Sequence, residues 1–237
     1  NQMEAVKKRL DEQVQQSQHK EYSEDVKEKQ QELQKQMDNL LNKELKEQMK
    51  KLQELMQRLN KEKAFETMKQ LEQENKLFNM DLQRMQELMK KLEMQMRMED
   101  LANKMDKLAE KQLDLKAETD KGKKDNQELA KQQEALKKEL EQAMSEEMKQ
   151  MEELNKEMKQ QQDVAKEKDK AGDAKQDMQD SKQQLDQGQK SQSSQSQSQA
   201  AENLKSMAQS LKSGAGGMNA MQLKKDIRAV RQILTNL

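Results

Sequence analysis

From Phe78 the apolar residues return at alternating steps of four and three: Phe78, Leu82, Met85, Met89, Leu92 and Met96. A second run, Met94, Met98, Leu101, Met105, Leu108, Gln112 and Leu115, steps in the same way but about two positions out of phase. An α-helix turns once in about 3.6 residues, so each run draws one oily stripe along a helix, and another helix has to cover it. The runs overlap at Met94–Met98, where the stripe is expected to change face. Leu33, Met37, Leu41, Leu45, Met49, Leu52, Met56 and Leu59 form a looser upstream seam. Leu129, Leu136, Leu140, Met144, Met148, Met151, Leu154 and Met158 form a noisier one downstream. Leu223, Ile227, Val230, Leu234 and Leu237 close the chain on strict alternation.

Composition points the same way. There is no Pro, only 6 Gly, and the aromatic set is Tyr22, Phe65 and Phe78. Helix breakers are nearly missing, and the β-branched and aromatic residues that favour strands are scarce. Apolar residues make up 31% of the chain, against roughly 45–50% in an ordinary globular domain. The expected fold class is all-α: an elongated coiled coil or helical hairpins with no compact globular domain.

The expected organisation is an N-terminal helix over 1–60, partly polar, a heptad helix over 64–118, and a second coiled-coil arm over 126–187. A Ser/Gln-rich flexible linker is expected over 188–199, and a C-terminal helical pair over 200–237. Thr119–Asn126 lacks apolar residues and holds Gly122, so it reads as a helix–helix connection, with Asp125 or Asn126 capping the next helix. Ala171-Gly172-Asp173 reads as a further break between helices 126–170 and 174–187, and Ser213–Gly217 as a hinge before the last helix. Asn79 reads as a cap for the helix that follows it.

Residues that carry chemistry are few. Cys is absent and His19 is the single His, so thiolate and His-based metal sites are excluded. Met94, Met96 and Met98 invite a copper(I) reading, but side chains two apart on a helix diverge, and a Met stripe reads as core filler. Gly214-Ala215-Gly216-Gly217 runs into Met218-Asn219, not into the Lys-Ser/Thr of a phosphate loop. Acidic and basic residues balance at 45 each, so the whole chain has no electrostatic pull toward nucleic acid. Lys205, Lys212, Lys224, Lys225, Arg228 and Arg231 make the C-terminal end basic, which reads as a solvated face. No stretch approaches the roughly 18–20 apolar residues of a membrane span. The expectation is therefore no catalytic residue, no cofactor and no metal, with protein partners, self or other chain, met through the seams. The helix–helix interface residues expected to carry those contacts are Leu82, Met85, Met89, Leu92, Met105, Leu108, Leu136, Leu140, Ile227, Val230 and Leu234. Gln112 and Gln133 fall on or near the seams, where a polar residue costs stability and fixes register.

Three stretches carry a resemblance: Leu52–Lys61 followed by Ala64-Phe65-Glu66, Leu92–Met98, and Asp226–Leu237. They resemble the C-terminal coiled region of a family of large, membrane-anchored bacterial envelope proteins of unknown function, found in Bacteroidota with relatives in alphaproteobacteria. The order of elements is similar too, including the Ser/Gln-rich stretch before the last helices. The resemblance implies that this is a segment of a longer protein with N-terminal membrane helices, and that it faces the periplasm. It implies no activity for any residue. The opening residue, Asn1, fits a segment or processed form. The functional expectation is a non-enzymatic scaffold or spacer. The alternatives are a Met-rich chaperone- or adaptor-like binding module, and the coiled stalk of a larger machine.

Overall fold

A computed structural model describes residues 8, 9, 12, 26–39, 61–158 and 165–217. Every described secondary-structure element is a helix: α1 over 26–39, α2 over Lys61–Lys121, α3 over Asn126–Glu157, α4 over Ala165–Asp186 and α5 over Lys190–Gly217. The all-α class with helical hairpins is therefore what the chain adopts. The chain divides into two compact units, one of residues 1–93 with 219–237 and one of residues 94–218.

In the first unit, Val26, Lys29, Gln30, Leu33, Gln36 and Met37 of α1 are buried. Their steps of three and four trace one helix face that includes three polar residues. Met85, Leu88, Met89 and Leu92 of α2 are buried as well. Arg9 donates to Glu93 Oε2 from Nε at 3.1 Å and from Nη2 at 2.9 Å, across 84 positions of sequence.

The second unit is a four-helix bundle, so its two hairpins share one closed core. In each cross-helix pair below, one residue number rises as the other falls, so neighbouring helices run antiparallel. Lys104–Glu147 and Lys111–Glu139 join α2 to α3 at 2.7 Å each. Glu141–Lys175 joins α3 to α4 at 2.8 Å, and Asp177–Asn203 joins α4 to α5, also at 2.8 Å. Asp106–Lys212 closes the ring from α2 to α5 at 2.6 Å. Inside, eight Met, eight Ala and six Leu form the main apolar cluster. Leu115, Leu129, Ala130 and Leu185 form a second, smaller one. Small residues let helices approach closely: a Cβ on Gly214 of α5 would sit 3.6 Å from Met98 Sδ on α2.

Two turns define the hairpins. Gly122 ends α2 with φ +65 and donates its N–H to Thr119 O at 3.1 Å. Asp125 then caps α3 through Oδ2, which accepts from Gln127 N at 3.2 Å. Gly188, at φ +77, sits where α4 ends. There Gly188 N donates to Leu185 O at 3.0 Å and Gln189 N to Gln184 O at 2.7 Å, the paired bonds of a Schellman stop. Lys190 Nζ donates to Gly122 O at 3.2 Å and to Lys124 O at 2.9 Å, so both turns meet at one end of the bundle.

Several sequence expectations are corrected. The supposed linker 188–199 is mostly the first turns of α5, which begins at Lys190. Ser193, Gln197, Ala200, Leu204, Met207 and Leu211 recur at steps of four and three and are all buried. Packing of that stripe, rather than intrinsic propensity, holds the Ser/Gln tract helical. The break at Ala171-Gly172-Asp173 does not exist: α4 runs through it, and α3 has already ended at Glu157. Ala171 and Ala174 lie on a buried stripe with Met178, Ser181 and Leu185, which favours helix on both sides of Gly172. Ser213–Gly217 is not a hinge; α5 continues to Gly217, anchored by Leu211 and Ala215 in the core. Asn79 caps nothing, because α2 passes through it. The α2–α3 connection shrinks to 122–125, since Thr119 stays in the helix with Oγ1 bonded to Leu115 O at 2.9 Å.

Gly172 offers a direct test of the unbroken α4. A Cβ there would meet nothing within 4 Å. Gly172→Ala is expected to stabilise the protein by about 0.5–1 kcal/mol, seen as a rise of about 2–4 °C in the thermal midpoint. Gly188→Ala, forced into a left-handed backbone, is expected to lower the midpoint instead.

Candidate functional site

With no metal-holding cluster among the described residues to organise a site, the helix-packing seams are the candidate. The described residues of both runs of the α2 stripe, from Met85 onward, are buried. Met85, Met89 and Leu92 are buried in the first unit, and Met94, Met98, Leu101, Met105 and Leu108 in the bundle core. Gln95 and Met96 are also buried, as expected of a helix whose stripe changes face there. Leu140 lies in the main cluster, and Leu136 is partly buried against both clusters. Leu82 sits in α2, but its side chain lies outside the described residues, as do Ile227, Val230 and Leu234.

On α3 the seam runs through Ala143, Glu147 and Met151, and Met144 packs at its edge. The noise in the sequence pattern came from polar residues at core positions: Gln133 fills the gap between Leu129 and Leu136, and Glu147 lies buried beside Met148. Glu147 is kept there by two cations of α2: Lys104 Nζ at 2.7 Å from Oε1 and Arg97 Nη1 at 3.7 Å from Oε2. Glu167 is a second buried acid, and it accepts from Ser210 Oγ at 2.6 Å.

Between the two apolar clusters lies a polar layer to which all four helices contribute. Gln112, Gln133, Ser181, Ser193 and Gln197 are each 0% exposed. Gln112 and Gln133 exchange amide hydrogen bonds, Nε2 to Oε1, at 2.8 Å in both directions. Gln133 Oε1 also accepts from Ser181 Oγ at 3.0 Å and from Gln197 Nε2 at 3.3 Å. Ser181 Oγ lies 2.9 Å from Ser193 Oγ. The Ser181 hydrogen is committed to Gln133, so Ser193 is the donor in this pair. Gln112 and Gln133 were visible as polar seam positions. Ser181, Ser193 and Gln197 were missed, although their spacing from Ala174, Met178, Ala200 and Leu204 would have found them had Ser and Gln been scored as seam residues.

On the outside, Asp173, Gln176, Asp177, Gln199, Glu202 and Asn203 line a shallow groove of about 370 Å³ between α4 and α5. Burial raises the Asp177 carboxyl above its ordinary value, and the nearby charges of Asp180 and Asp173 add to this; the bond from Asn203 opposes it. Glu141 and Glu152 go the other way, each held below the ordinary carboxylate range by a cross-helix lysine, Lys175 and Lys168. Their stabilising effect is present above the ordinary carboxylate value and is lost as pH falls through the lowered one. Asp177 has the opposite sign: its protonated form favours the fold, and that contribution is lost as pH rises through the raised value. Asp177→Asn is therefore expected to raise the thermal midpoint at neutral pH by about a degree or two, with the gain vanishing in acid where Asp177 is already protonated. Parallel melts across the acidic range check this.

Among the described residues, no group of three or more His, Cys, Asp or Glu is placed to hold a metal ion. No described helix is long and apolar enough to cross a membrane. No family model, curated protein or solved structure matches the chain.

Proposed function

We propose that the protein is a non-enzymatic scaffold or spacer that works through helix–helix contacts. The observation that carries this reading is α2, a 61-residue helix that places buried apolar residues in both units, Met85, Leu88, Met89 and Leu92 in one and Met94–Leu115 in the other. One element that supplies packing surface to two units suits a strut better than a catalytic fold, in which reactive groups converge on a cleft. The envelope setting implied by the sequence resemblance is part of this proposal.

The Met-rich binding module is the rival reading, and the burial pattern favours the scaffold over it. The cluster methionines point inward, and among the described residues Met80 is the only exposed large hydrophobic. An adaptable client-binding surface needs such side chains on the outside.

The test pairs Leu92→Asp with Ile227→Asp in the full-length gene product and reads in-cell cross-linking to neighbouring proteins. The scaffold reading expects the native cross-links to be lost. Unchanged cross-links, helicity and hydrodynamic size would defeat it. Suppression of aggregation of an unfolded client by the wild-type protein would hand the case to the binding module.

A further inference from the structure

The polar layer is placed to control how the two hairpins of the bundle find each other. Short turns already fix register within each hairpin: 122–125 joins α2 to α3, and 187–189 joins α4 to α5. Between the hairpins a longer stretch of sequence separates Glu157 from Ala165, so side-chain matching carries more of the register there. The main cluster matches poorly by shape. It is built from Met, Ala and Leu alone, and side chains without β-branching, with adaptable Met among them, fit several alignments about equally well.

Each hairpin carries its own polar pair in its oily face toward the turn, Gln112 with Gln133 on one and Ser181 with Ser193 on the other. The pairs are joined across the hairpins through a single atom. Gln133 Oε1 accepts from Ser181 at 3.0 Å and from Gln197 at 3.3 Å. Slide one hairpin by a heptad, and either Ser181 and Gln197 come level with Leu140 or Gln133 comes level with Ala174 and Leu204, so the bonds across the hairpins are lost in both directions. Buried polar groups that lose their partners disfavour that arrangement far more than a mismatched methyl group does. The layer is also not fully satisfied in its native register: Gln197 Oε1 is buried and accepts no hydrogen bond from the protein. It is thus poorly explained as a means of gaining stability.

We propose that the Gln112–Gln133–Ser181–Ser193–Gln197 layer is the register key that docks the α4–α5 hairpin onto the α2–α3 hairpin in one alignment.

Disulfide trapping tests this, because the chain has no Cys of its own. Glu141 and Lys175 form an exposed ion pair across the hairpins at 2.8 Å, so Glu141→Cys with Lys175→Cys reports the native register. Glu141→Cys with Lys168→Cys, or with Lys182→Cys, reports alignments shifted by a heptad either way. With the layer intact, only the native pair is expected to close. The layer-free protein carries Gln112→Leu, Gln133→Leu, Ser181→Ala, Ser193→Ala and Gln197→Leu. There the shifted pairs are expected to close with yields within a few-fold of the native pair, while the thermal midpoint is unchanged or higher. Closure of the native pair alone in the layer-free protein overturns the proposal. Should the five-fold variant lose its helical signal, Ser181→Ala with Gln197→Leu removes the bonds across the hairpins, together with the Ser181–Ser193 pair, while keeping the Gln112–Gln133 pair, and its trapping yields decide in the same way.

Discussion

Gln133→Leu alone is expected to destabilise the bundle by about 2–4 kcal/mol, although it puts a larger apolar surface into the core. Gln133 Oε1 takes three of the layer's hydrogen bonds, and Gln133 Nε2 serves Gln112. Its removal strands both ends of the Gln112 amide, frees the Ser181 hydroxyl and leaves Gln197 Nε2 without an acceptor. Each buried group so orphaned costs about 1–3 kcal/mol, partly offset by the added leucine. Adding Gln112→Leu to Gln133→Leu is expected to recover about 1–2 kcal/mol, because it removes the most severely stranded partner. Urea unfolding of the wild type, both single variants and the double variant measures this coupling. Strict additivity would show that the reciprocal amide pair does not form.

Leu204→Asp is expected to have the larger effect, at least about 4 kcal/mol and enough to undock α5. Leu204 is 0% exposed within the main cluster. The substitution opens a cavity worth about 2–5 kcal/mol and adds a carboxylate with no cation placed to receive it. A small domain is typically stable by only 5–15 kcal/mol in all. Limited proteolysis with a glutamyl endopeptidase reads the outcome, because Glu202 is the only Glu between residues 190 and 217. Cleavage there is expected to be slow in the wild type and fast in Leu204→Asp. Lys205→Asp, one position further on and exposed, should cleave at the wild-type rate. If the two variants cleave alike, α5 is not docked through Leu204.

The contrast between those neighbours shows what the sequence made legible. Along α2 the seam is written in Met and Leu, and both runs were readable with the phase change between them. The turn at Gly122 and the cap at Asp125 were readable as well, because a left-handed backbone and an orphan helix N–H each favour few residue types. Along α5 the same alternation is carried by Ser193, Gln197 and Ala200 before the first Leu appears. Scored for hydrophobicity, that stretch looks like a spacer, and its helix comes from tertiary burial. The Gly172 error has a related cause. A glycine within a helix weakens it by only about 1 kcal/mol, and the buried Ala171, Ala174 and Met178 on either side outweigh that. Pairing between seams is a separate matter. Spacing says that a stripe must be covered, and it does not say by which helix.

Lys190 ties the two hairpin turns together at one end of the bundle, so the chain enters at residue 94 and leaves near Gly217 at the other. Met98 and Gly214 lie against each other there. Tension drawn through the polypeptide between these points pulls in one place and peels α5 from α2 layer by layer, as a zipper opens, instead of shearing every contact at once. Peeling of this kind is expected to need less force than shearing and to release the chain in steps. Beyond the apolar cluster the peel reaches the glutamine layer, where α5 must give up its bonds from Gln197 to Gln133 and from Ser193 to Ser181.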